Sequence, residues 1–223
     1  MGNFFTSSIG KKIMMAAAGL FLITFLLVHL GLNLLIVIFE SGDKFNIAAH
    51  FMGTNILIKI FEIVLFGGFL LHIIYGLIVQ IYNWIARPVL YKVSNNAQTS
   101  FFSKYMIHTA VIILVFLVLH LFDFYFKAKF FGEVGNVVIH GKDYHDLAAL
   151  VVAKFQYLGF VIFYVASILF LGFHLLHGFQ SAFQTFGLNH KTYTPIIKGI
   201  GYVYTFIVVV GYSLIPVLIY LDK

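Results

Sequence analysis

Residues 12–39 read KIMMAAAGLFLITFLLVHLGLNLLIVIF, and between Lys12 and Glu40 the one ionisable side chain is His29. This uncharged run exceeds the ~20 residues that an α-helix needs to cross ~30 Å of hydrocarbon. No small-residue cleavage site follows it, so it reads as a retained span and not as a signal peptide. Four more runs of the same kind follow, and spans are expected over 12–39, 63–86, 105–126, 155–186 and 196–221. The whole composition agrees. With 61% hydrophobic and 10% charged residues and a mean hydropathy of +1.00, the 223 residues carry too little polar surface to coat a soluble domain. The expected fold is all-α: a polytopic membrane protein, one transmembrane domain over 1–223, whose partner is the lipid bilayer and not nucleic acid.

Four of the ten histidines sit one apiece deep inside four of these runs: His29 in LLVHLGLN, His72 in GGFLLHIIYG, His120 in FLVLHLFD and His174 in LGFHLLHG. Neutral imidazole is the commonest biological metal ligand, and an ionisable residue inside lipid is costly enough to mark a functional site. Two pairs of such histidines are what two bis-histidine haems need, which gives the five helices a haem-binding four-helix core. The chain has no cysteine, so disulfides, cysteine-held iron–sulfur clusters and the covalent attachment of a c-type haem are excluded. The expected cofactor is two haem b groups, bound non-covalently.

Lysine and arginine alone do not orient the chain. Lys11, Lys12, Arg87, Lys92, Lys104, Lys191 and Lys198 on one side face as many lysines on the other, while every Asp and Glu falls on the second side. The acids favour an N-terminus on the cytoplasmic side. At ~1.5 Å per residue, His29 and His120 then lie about 24 to 27 Å from the inner charges, and His72 and His174 about 20 to 22 Å. The depths assign His29 with His120 to an outer haem and His72 with His174 to an inner one. Gly68, His72 and Gly76 share one helix stripe, and Gly172 and Gly178 flank His174. Such glycines admit either a flat macrocycle or a neighbouring helix. His177, three residues from His174, is read as a partner of a propionate, a quinone or its neighbour.

The segments SSIGKKIMMAAAGLFLITFLLVHLGLN and FHLLHGFQSAFQTFGLNH, with one deep histidine in each of the first four spans and none in the fifth, resemble a known family. It is the five-helix, di-haem cytochrome b558 type of membrane anchor of succinate:quinone oxidoreductases, the succinate dehydrogenases and fumarate reductases. The resemblance covers nearly the whole chain. It implies that His29, His72, His120 and His174 are the axial, metal-ligating residues. It also implies that electrons pass between an iron–sulfur subunit, itself fed by a flavoprotein subunit, and a quinone such as menaquinone, in a bacterial cytoplasmic (inner) membrane. Some members carry an acidic residue two positions before the fourth ligand; here that position is Gly172.

The chain itself demands an outside electron source, having no dinucleotide fingerprint, no P-loop and no cluster-binding cysteines. A quinone site needs proton-handling groups at a membrane boundary. Outer candidates are Glu40, Glu62 and His50, with Asn46 nearby; inner candidates are Ser8, Lys11 and Gln180, with Lys12, Ser181 and Gln184 beside them. Two other readings stay open. One is the cytochrome b subunit of a hydrogenase or formate dehydrogenase; the other is a haem-free transporter whose histidines relay protons.

Overall fold

The computed structural model describes residues 7–39, 41–85 and 105–222. Five helices among them are long and apolar enough to cross a membrane. They are α1 (Ser8–Ile38), α3 (Ile56–Ile85), α4 (Met106–His120) continued by a π-helical segment (Leu121–Phe131), α6 (Leu158–Thr185) and α7 (Tyr193–Leu221). Between them lie α2 (Asp43–Thr54), the hairpin β1 (Asn136–Ile139) and β2 (Lys142–His145), and α5 (Leu147–Phe155). Outward-facing residues such as Leu70, Ile74, Ile81, Val203 and Phe206 are exposed and apolar. Such surface is soluble only in lipid, and helices satisfy their own backbone there. The chain is a multi-pass membrane protein.

The spans differ from expectation at their ends, for local reasons. The second was expected from residue 63 but begins at Ile56, because the Asn55 side chain accepts from the Leu57 and Ile58 N–H groups at 2.9 and 3.3 Å. Lys59 and Glu62 are therefore inside the helix. The third runs on to Phe131 in π-helical form and stops at Gly132, whose φ of 63° suits a glycine. The fourth begins at Leu158, since Phe155 closes the separate helix α5 and Gln156 and Tyr157 break the chain direction.

Both α2 and the α5 turn were expected as loops; they form, with the hairpin, a cap over one end of the bundle. Asn46, 2% exposed, joins them: its amide donates to Asp146 Oδ1 at 3.0 Å and its carbonyl oxygen accepts from the Ala148 N–H at 2.9 Å. Asp146 in turn caps α5 at Ala149 N, 3.1 Å away. In the hairpin His140 and Gly141 have φ of 51° and 75°, the left-handed pair that a two-residue turn requires.

Inside the membrane region α1 is the hub, packed on α3, α6 and α7; α6 also packs on α4 and α7. The glycines set several of these contacts. A Cβ on Gly172 would lie 2.6 Å from Val209, one on Gly211 would lie 2.8 Å from Leu30, and one on Gly68 would lie 3.2 Å from Phe21. Of the two roles open to Gly68 and Gly172, these positions take helix contact. Gly172 has no room for an acidic side chain. On α7, Tyr204 and Tyr212 each donate a hydroxyl to an α1 carbonyl, at Ile23 (2.7 Å) and Leu26 (2.8 Å). By contrast α3 and α4 share almost no backbone contact, which leaves one flank of the bundle open.

Candidate functional site

The fold places the four deep histidines in two facing pairs across this core. The His29 and His120 ring centroids are 5.8 Å apart, and those of His72 and His174 are 6.2 Å apart. Two imidazoles ligating one metal from opposite sides, at ~2 Å per metal–nitrogen bond and with ~1.1 Å from nitrogen to ring centre, put their centroids about 6.2 Å apart. The His72–His174 pair has that spacing, and the His29–His120 pair is about 0.4 Å shorter. Measured from the cap, His29 lies nine residues inside the end of α1, whereas His72 and His174 each lie sixteen residues inside the start of α3 and α6. At ~1.5 Å per residue the two pairs sit on levels about 10 Å apart.

Each ring is held by its surroundings. His72 Nδ1 donates to the Met15 carbonyl at 3.2 Å, which fixes the tautomer and leaves Nε2 with a free lone pair. The same ring rests on Gly19, where a Cβ would come within 3.2 Å of Cε1. His29 stacks on Phe25 at 5.2 Å and lies 6.0 Å from the Tyr212 ring, and Asn33, one turn on, donates to its backbone carbonyl at 2.8 Å. Around His120 stand Phe116, Phe124 and Tyr164, with centroids 5.5, 5.3 and 6.1 Å away. The Nδ1 atoms of His120 and His174 are buried with no hydrogen-bond partner. A buried polar atom left unpaired costs free energy and asks for a reason. Metal ligation through these Nδ1 atoms would supply one, whereas ligation through Nε2 would leave them unpaired. By donor type and spacing, His29 with His120 and His72 with His174 are the residues that could each hold one metal from opposite sides. His177 lies one turn beyond His174, and the ring facing His72 is that of His174.

The candidate quinone residues are dispersed. Glu62 accepts from the Tyr125 hydroxyl and pairs with Lys129, tying α3 to the π-helical segment at the cap end; Phe66 adds a ring contact to Tyr125 at 5.2 Å. Exposed His50 packs instead on Tyr144 of the hairpin, 5.0 Å away, and Asn46 is fully engaged in the cap. Glu40 lies outside the described residues. At the other end Ser8 opens α1, and the Lys11 amine sits 4.5 Å over the Tyr82 ring. Gln180 lines a small pocket with Phe183, Gln184 and Lys198, and next to it Ile9, Lys12, Ser181, Gln184 and Thr185 line an open cleft of about 300 Å³. Met15, Gly19, Tyr125, Lys129 and Tyr164 had no signal in the sequence, because their partners are distant in the chain.

Comparison of the chain with protein-family models, with curated proteins and with solved structures finds no match.

Proposed function

We propose that this chain is the membrane-anchor cytochrome b subunit of a succinate dehydrogenase or fumarate reductase, carrying electrons between an iron–sulfur subunit and a quinone. One observation carries the reading: two histidine pairs, drawn from four different helices, face each other at metal-bridging separation on two levels of one bundle. His29 with His120 and His72 with His174 would each hold one b haem. When bound, the haems supply one-electron transfer across the membrane core. The chain's own work is to fix four imidazoles, through Met15, Gly19 and the aromatic residues, and to exclude water from them.

Quinone chemistry also moves protons, and of the two candidate carboxylates Glu62 is the one among the described residues. Its hydroxyl and ammonium partners, Tyr125 and Lys129, give a proton-exchanging cluster at the cap end, where it joins α3 to the third span. The resemblance in sequence supports a bacterial cytoplasmic membrane, with the N-terminal end of the bundle facing the cytoplasm and the flavoprotein and iron–sulfur subunits docked there. The test is a pyridine haemochrome assay on the purified complex, which is expected to give two b haems per chain. No haem in a complex that retains its partners favours the proton-relay transporter, and one haem per chain refutes the double pairing.

A further inference from the structure

Beside the His29–His120 pair lies an ion pair that the electron route above leaves without a role. Asp123, on the π-helical segment one turn beyond His120, accepts from Lys154 Nζ at 2.6 Å. Lys154 is brought in by α5 of the cap, and its amine also lies 3.5 Å over the Phe160 ring. The two side chains are only 19% and 20% exposed. Tyr164, 4% exposed, donates its hydroxyl to the other carboxylate oxygen at 3.5 Å, and its ring packs against His120 and Phe116. One residue thus touches the carboxylate with one end and the imidazole with the other. Desolvating two charges commonly costs more than their attraction returns, so stability alone is a poor reason for an ion pair here.

We propose that Asp123 and Lys154 form a charge-balanced pair that keeps either charge alone from shifting the redox potential of the centre held by His29 and His120, with Tyr164 as the positioning residue that holds the carboxylate beside the ligand. The inference rests on the haem reading above. In a low-dielectric core a lone anion stabilises the oxidised, more positive form of a nearby centre and lowers its potential; a lone cation does the reverse. The wild-type pair nearly cancels. Removing either member leaves the other as an uncompensated charge, and the two removals act with opposite sign.

The experiment is an optical redox titration of the whole purified complex, following each b haem separately. Asp123→Asn is expected to raise the potential of the haem at the cap end and Lys154→Met to lower it. The double variant returns to the wild-type value, and the haem at His72 and His174 stays put in all three. Tyr164→Phe keeps the ring and removes one hydrogen bond from the carboxylate, so it gives a smaller downward shift while retaining both haems. Shifts of the same sign in both charge variants, or unchanged potentials with two haems present, overturn the proposal. So does loss of haem in both charge variants with an unmoved potential in Tyr164→Phe, which assigns the cluster to structure. A wild-type complex without haem would instead refute the functional reading itself, a result distinct from all of these.

Discussion

Gly19→Ala separates a built ligand site from ordinary helix packing. An added Cβ would lie 3.2 Å from His72 Cε1 and 3.3 Å from Nδ1, so the imidazole must yield by a few tenths of an ångström. It cannot do so freely, because the same Nδ1 is bonded to Met15 O at 3.2 Å on the same helix. The ring moves off that carbonyl and off the axis towards His174. Weakening such a bond to a ligand histidine typically costs 10–100-fold in metal affinity. Gly19→Ala is therefore expected to weaken haem binding at the His72–His174 pair by roughly 10–100-fold, with the His29–His120 pair unaffected. Haemin titration of the haem-depleted subunit, read by the low-spin spectra of the two centres, measures both. Gly68→Ala is the matched control: its Cβ would meet Phe21 at the same 3.2 Å, without touching a histidine. The reasoning is refuted if both variants weaken both centres equally, or if Gly19→Ala leaves the His72 centre unchanged.

His174→Ala is expected to abolish the low-spin signal of the centre it shares with His72, whereas His177→Ala retains ligation and shifts the potential; electron paramagnetic resonance distinguishes the two, and the opposite pattern moves the ligand role to His177. Glu62→Gln is expected to slow succinate-driven quinone reduction while succinate oxidation by a soluble artificial acceptor stays normal, and full quinone activity would move attention to the cleft at Lys12 and Gln184. Asn46→Ala strips the partner from the buried Ala148 N–H, and thermal unfolding in detergent should register a loss on the order of 1–3 kcal/mol with haem content intact.

What could be read in the chain and what could not divides along range of interaction. The five spans were legible because lipid imposes one requirement on twenty residues at a time, and the four deep histidines stood out because each broke that requirement. The start of α3 was missed because Lys59 and Glu62 look like loop residues, while the deciding group, Asn55, acts through two hydrogen bonds of its side chain. The cap was missed for a related reason: α2 and α5 are short, and Asn46 bonds to residues about a hundred positions away. Spacing could put Gly68 on the face of His72, but its neighbour, Phe21, belongs to another helix, as does Val209, the neighbour of Gly172. Met15 is the clearest case. Its carbonyl fixes the His72 tautomer across 57 positions, and nothing local to either residue announces it.

The facing histidines also bear on how the chain is made. Each pair joins the first two spans to the third and fourth: His29 precedes its partner by 91 residues (120 − 29), and His72 precedes its partner by 102 (174 − 72). During synthesis the early helices must therefore wait in the bilayer, each with an imidazole facing no counterpart, until the later ones arrive. A metal bound across either pair then closes a loop of about a hundred residues, a constraint worth about 4–5 kcal/mol in the chain-entropy model for cross-links. Since α3 and α4 scarcely touch, those two closures would join the early and late halves of the bundle along its open flank, and cofactor insertion would be the last step of assembly.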